Sequence, residues 1–115
     1  MTCRRPLALV ADDDPPTREL AANYLAELGF EPIEAGDGRH ALAILSGEPD
    51  ISVLLTDLCM PCMSGVELAE TARQMRPHLR IVLTSGLAAG AGTGDAVFLP
   101  KPWRLRDLEA ALRNA

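Results

Sequence analysis

Short apolar runs, each closed by a residue able to do phosphate or cation chemistry, set the tightest constraint on this chain. LALVA ends on Asp12, Asp13 and Asp14, ISVLLT on Asp57, RIVLT on Ser85 and AVFLP on Lys101. A run without polar alternation suits a strand buried on both faces, and the segments between the runs are helical in period. If the runs are parallel strands joined through helices, all four closing groups fall on the carboxyl edge of one sheet, where open α/β sheets bind ligands. The expectation is therefore one site rather than four unrelated residues.

The punctuation agrees with that alternation. After a strand at 7–11, Asp14-Pro15-Pro16-Thr17 opens a helix, because proline is tolerated in a helix's first turn. Leu20, Tyr24, Leu25 and Leu28 recur at helical spacing until Gly29 stops them. A strand at 30–34 leads through Gly36-Asp37-Gly38 into a short helix over 39–46 with Ala41, Ile44 and Leu45, ended by Gly47 and Pro49. A third strand covers 51–56, Ser64-Gly65 opens a helix to about Arg76 that Pro77 stops, and strands follow at 81–84 and 96–99. Leu105, Leu108 and Leu112 set a closing helix on the sheet. The prediction is one α/β domain over 1–115: a five-stranded parallel sheet with right-handed crossovers, doubly wound and flavodoxin-like. The join GLAAGAGTGD over 86–95 is about the minimum length for a helical crossover. Gly90, Gly92 and Gly94 would each cost a helix about 1 kcal/mol relative to alanine, so the fourth helix is predicted short or missing.

Composition removes several function classes. With 115 residues the chain can bury a core but has no room for a second domain. No apolar run approaches the roughly 18 residues of a membrane span. MTCRRPLALV runs straight into acids and so fails as a signal peptide; a cytoplasmic protein is expected. The odd set Cys3, Cys59 and Cys62 argues against a disulfide framework. A net charge of −5 without a basic stripe speaks against direct binding to duplex nucleic acid. Acids stand after the first strand where a dinucleotide site would need G-x-G-x-x-G.

Acids converging on one edge point to a cation. Asp12, Asp13 and Asp57 would repel each other and call for a counterion, and carboxylate oxygens suit magnesium. Alone, DDD also fits a solvated loop capping a helix; Asp57 closing the third strand tips the balance. Lys101 is the single lysine beside ten arginines. A compact ammonium reaches a phosphoryl oxygen as a point charge more easily than a planar guanidinium does. Pro100 and Pro102 fix the chain around it.

Taken in order, LALVADDDPPTR, LLTDLCMPCMSGVEL, IVLTSG and AVFLPKPW resemble the first strand with its acidic pair, the phosphoacceptor strand and loop, the switch hydroxyl and the lysine signature of response regulator receiver domains. The resemblance, to a chemotaxis-regulator-like single domain, covers the whole chain. It implies that Asp57 is the phosphoacceptor, that Asp13 binds magnesium directly and Asp12 through water, and that Cys59 contributes its backbone carbonyl. It further implies that Ser85 and Lys101 hold phosphoryl oxygens and that Phe98 is the aromatic switch residue. A histidine kinase or histidine phosphotransfer protein would be the phosphoryl donor, and an unknown downstream protein the target. Two departures are visible: the family often has glycine at the position of Cys62 and aspartate at that of Ser64.

Other readings compete. Cys59-x-x-Cys62 as a redox pair lacks the helix start of a thioredoxin-like site. His40 and His78 lack zinc-ligand spacing and are expected at the surface. A haloacid-dehalogenase-type aspartyl phosphatase would use Asp12 as nucleophile, and an inert pseudo-receiver would bind partners without phosphoryl chemistry. With no effector after the last helix, the chain is expected to act alone, as the initial Met1 suggests, or to be the receiver piece of a larger hybrid protein.

Overall fold

The computed structural model describes residues 5–86 and 96–115. In chain order the elements are β1 (Leu7–Ala11), α1 (Pro15–Glu27), β2 (Glu31–Ala35), α2 (Gly38–Gly47), β3 (Ile51–Asp57), α3 (Gly65–Met75), β4 (Arg80–Ser85), β5 (Val97–Pro100) and α4 (Leu105–Asn114). All five strands are parallel, in the order β2-β1-β3-β4-β5, which is the flavodoxin-like arrangement expected from the alternation. The crossover predicted to lack a full helix falls, beyond Gly86, outside the described residues.

Local chemistry sets the boundaries. Asp14 caps α1 by accepting from the Thr17 amide at 3.2 Å, and two prolines open the helix. α1 ends in paired bonds, Phe30 N–H to Leu25 C=O and Gly29 N–H to Ala26 C=O, with Gly29 at φ +97°, a left-handed conformation that glycine adopts without penalty. Asp37 caps α2, and a reciprocal Ser64–Glu67 box caps α3. The orphan carbonyls of Leu45, Glu48 and Pro49 at the end of α2 all accept from the Arg76 guanidinium.

The sheet is covered on both faces, which is why its strands read as unbroken apolar runs. Leu9, Leu54, Ile81 and Leu83 pack under Ala41 and Leu45 of α2 and Leu68 and Ala72 of α3. Val10, Val53, Leu55 and Val82 pack under Ala21 and Leu25 of α1 and Leu108 and Leu112 of α4. Pro32 is tolerated because β2 is an edge strand. Leu20 departs from the expected apolar face: the buried stripe of α1 is Ala21, Ala22 and Leu25, and Leu20 is 49% exposed. It lies in the first turn or two of α1, beside Lys101, Pro102 and Trp103, rather than over the sheet.

Candidate functional site

The carboxyl ends of β1, β3 and β5 converge. The Lys101 Nζ lies 3.6 Å from Asp12 Oδ2 and 3.6 Å from Asp57 Oδ2. Asp12, Asp13 and Asp57 can each present an oxygen within 4.8 Å of the others. Asp12 and Asp57 are buried and Asp13 is exposed, so the cluster has one wet side.

Backbone and side-chain bonds hold each acid in place. The Asp12 amide donates to Ala35 C=O, tying the acidic loop to the edge strand. The Asp12 carboxylate accepts from the Asp14 amide at 2.9 Å. Arg18 donates to the Asp12 carbonyl at 2.9 Å while pairing with Glu34 at 3.1 Å. Sequence reasoning missed Arg18, whose role depends on where the fold places the Asp12 carbonyl and Glu34. Just after β3, the Cys59 amide lies 3.5 Å from Asp57 Oδ1, and the Leu58 amide donates to Thr84 C=O.

Burial pushes the Asp12 carboxyl above its ordinary value; the Asp14 amide and Lys101 oppose this, and Asp57 and Asp13 add to it. Asp14 shifts the other way, lowered chiefly by its hydrogen bond from the Thr17 hydroxyl. One ammonium thus faces three carboxylates, two of them withdrawn from water. At 3.6 Å the ammonium acts as a charge rather than as a short hydrogen-bond donor. A hard divalent cation suits such a donor set. Magnesium holds ligand oxygens at about 2.1 Å, and a trio spanning at most 4.8 Å needs little closure to reach it.

Among the other expected residues, Ser85 is buried at the end of β4, one position beyond Thr84, the register partner of Asp57. Its carbonyl accepts from the Lys101 amide at 2.8 Å. Phe98 is half-buried and pairs in register with Leu83, on the face of the sheet that Leu83 shares with α2 and α3. Cys59 and Cys62 are exposed free thiols in the loop after β3. Cys62 has φ +70°, which gives a physical reason for glycine at this position. His40 and His78 lie at the surface, as expected. The Lys101–Pro102 peptide is cis.

Two features were not legible in the sequence. A Cβ on Gly65 would stand 2.2 Å from the Asp57 carbonyl oxygen, so α3 approaches the end of β3 as only glycine allows. The Trp103 indole donates to the Thr84 hydroxyl at 2.9 Å, joining the segment after Lys101 to β4.

Comparison with known proteins agrees with this arrangement. Residues 8–113 match the family model described as the response regulator receiver domain. The chain is 39% identical over 106 residues to the response regulator receiver protein CpdR of Brucella abortus, covering 87% of this chain and 88% of that protein. It is 38% identical over 112 residues to the response regulator MprA of Mycolicibacterium vanbaalenii, covering 91% of this chain but 48% of that protein, so it spans about half of such a relative. The structure of the response regulator protein TrrA of Thermotoga maritima in complex with Mg2+ and BeF superposes with a TM-score of 0.83 at 28% identity, over 93% of this chain and 96% of that one.

Proposed function

This chain belongs to the response regulator receiver domain family, and on that premise we propose that it is a phosphoacceptor switch of a two-component phosphorelay, modified on Asp57 by a histidine kinase or histidine phosphotransfer protein. The observation that carries the reading is the placement of buried Asp57 and Asp12 at equal distance from the chain's only lysine, with Asp13 beside them on the open side.

In the proposed reaction an Asp57 carboxylate oxygen attacks the phosphorus of a phosphohistidine. The P–N bond breaks, the imidazole leaves with the electron pair and takes a proton, and an acyl phosphate forms. The transition state is loose and spreads charge over three equatorial oxygens, so the protein's part is positioning and neutralisation. Lys101 Nζ, already on the Asp57 side of the site, meets one developing charge. Ser85 offers a hydroxyl at the end of the adjacent strand. Asp12, Asp13 and Asp57, with the Cys59 carbonyl, would hold magnesium, which when bound supplies further neutralisation of the phosphoryl oxygens. TrrA, as a complex with Mg2+ and BeF, supports that assignment by similarity. Hydrolysis of the acyl phosphate resets the switch, and contacts of the phosphoryl group with Ser85, relayed to Phe98, would shift a pre-existing equilibrium between inactive and active states.

Intact-mass measurement after incubation with a small acyl-phosphate donor and magnesium tests this on wild type and Asp57→Asn. A single phosphoryl adduct lost in Asp57→Asn is expected. An adduct that persists in that variant and disappears in Asp12→Asn would assign the nucleophile to Asp12 instead, and no adduct at all would leave a binding module without phosphoryl chemistry.

A further inference from the structure

Thr84 carries a hydroxyl into an otherwise apolar layer. It is 3% exposed, in register with Leu99 on one side and Asp57 on the other, and two residues from Val82, which packs under α1 and α4. A buried hydroxyl needs a partner, and the Trp103 Nε1–H supplies it at 2.9 Å. The Trp103 ring is itself braced by Tyr24 of α1, with centroids 5.6 Å apart at 57°. Two residues earlier, the Lys101 amide donates to Ser85 C=O at 2.8 Å. The segment 101–103 is therefore fastened to adjacent residues of β4 at two points, and the Lys101 side chain leaves from between them to reach Asp12 and Asp57.

We propose that Trp103 is a positioning residue for Lys101: its hydrogen bond to Thr84 is the second fastening that holds the ammonium over the acid pair. The part concerning phosphotransfer rate rests on the phosphoacceptor reading; the part concerning Lys101 does not. Lysine stems are flexible, and a single anchor at the Lys101 amide would leave the segment free to pivot. Trp103→Phe keeps an aromatic ring against Tyr24 while deleting the donor and one ring of the indole; Thr84→Val is close to isosteric and deletes the acceptor alone.

The test uses the whole chain labelled with 15N. Lys101 is the only lysine, so its side-chain ammonium gives one unambiguous resonance. In wild type it should be sharpened by slow exchange and shift on titrating magnesium; in Trp103→Phe and in Thr84→Val it should broaden toward the solvent-exchanged limit. Phosphorylation of Asp57 by a saturating small donor should slow by about tenfold, as misplacement of a charge-neutralising group does. The double variant replaces the polar pair by an apolar one and strands no hydroxyl. If it remains as slow as the singles, the hydrogen bond positions Lys101; if it regains the wild-type rate and resonance, the contact serves stability alone and the proposal falls. Wild-type resonance and rate in the singles would also overturn it. Should wild type accept no phosphoryl group, the phosphoacceptor reading fails, while the Lys101 resonance still decides for or against the clamp.

Discussion

Replacing Gly65 with alanine probes how tightly the first turn of α3 is seated against the end of β3. A Cβ there would lie 2.2 Å from the Asp57 carbonyl oxygen, 2.8 Å from Leu58 Cα and 2.9 Å from the Asp57 carbonyl carbon, whereas ordinary contact begins at 3.4 Å. All three atoms are backbone, so no side chain can rotate away; the helix must retreat by about 1 Å, which as overpacking costs about 1–3 kcal/mol. The same retreat stretches the Gly65 N–H to Leu58 C=O bond, now 2.9 Å, worth about 1 kcal/mol. A net loss of about 3 kcal/mol leaves a typical domain folded. It should lower the melting temperature by roughly 10 °C, at about 4 °C per kcal/mol for this size. Gly47 supplies the control. It ends α2, and a methyl added there would meet nothing within 4 Å, so Gly47→Ala should stabilise by about 0.5–1 kcal/mol. Urea and thermal unfolding of both variants, with calorimetric titration of magnesium, separate seating from site. Gly65→Ala should also weaken cation binding, because Asp57 moves with its carbonyl, while Gly47→Ala should not. A Gly65→Ala protein as stable as wild type, with unchanged magnesium affinity, would refute the close approach.

Cys62→Gly relieves a left-handed residue that costs about 1–2 kcal/mol in a non-glycine and is partly offset by glycine's chain entropy; a gain of about 0.5–1 kcal/mol in urea unfolding is expected, and a loss would show that the thiol side chain contributes packing of its own. Asp12 is raised by burial above the 3.8 of an unperturbed carboxyl, so the native state binds its proton more tightly than the unfolded state and the Asp12 contribution to stability falls as pH rises from about there through the native value. Asp14, lowered by Thr17, works in the opposite sense, its contribution present above 3.8 and lost as pH falls through the native value; the difference between wild type and Asp12→Asn unfolding curves without divalent cation isolates the first effect, with the variant relatively more stable at neutral pH. Magnesium should raise the wild-type melting temperature and raise that of Asp12→Asn less, as linkage requires; equal shifts would remove Asp12 from the cation site. Lys101→Arg keeps the charge but not the compact ammonium, so phosphorylation of Asp57 should persist at reduced yield with smaller phosphorylation-dependent backbone shifts at Ser85 and Phe98; wild-type shifts would show that lysine is not required as such.

The architecture was legible because it rests on patterns that repeat along the chain. Parallel strands buried on both faces leave unbroken runs such as Leu54 between Val53 and Leu55, which pack on opposite sides of β3. Caps such as Asp14, Asp37 and Ser64 mark the helix starts by their side-chain chemistry. What misled was the choice of apolar face on α1: Leu20 fits a helical period with Tyr24 and Leu28, but the stripe that is buried is Ala21, Ala22 and Leu25, and period alone does not say which of two neighbouring stripes the sheet covers.

The candidate site was legible for a different reason and to a different depth. Parallel topology delivers every strand's carboxyl end to one edge, so Asp12, Asp57, Ser85 and Lys101 could be grouped without knowing any distance. The residues that fix their geometry carry no such signature. Arg18 acts through the Asp12 backbone, Gly65 through the absence of a side chain, and Trp103 through a threonine nineteen positions away in sequence. Each is specified by a packing arrangement between elements, which pairwise spacing does not encode. Yet catalysis by positioning is sensitive to displacements of about 1 Å. The residues proposed for the chemistry can therefore be grouped from the order of the strands, and those that hold them in place only from the way α1, α3 and the Lys101 segment close upon the end of the sheet.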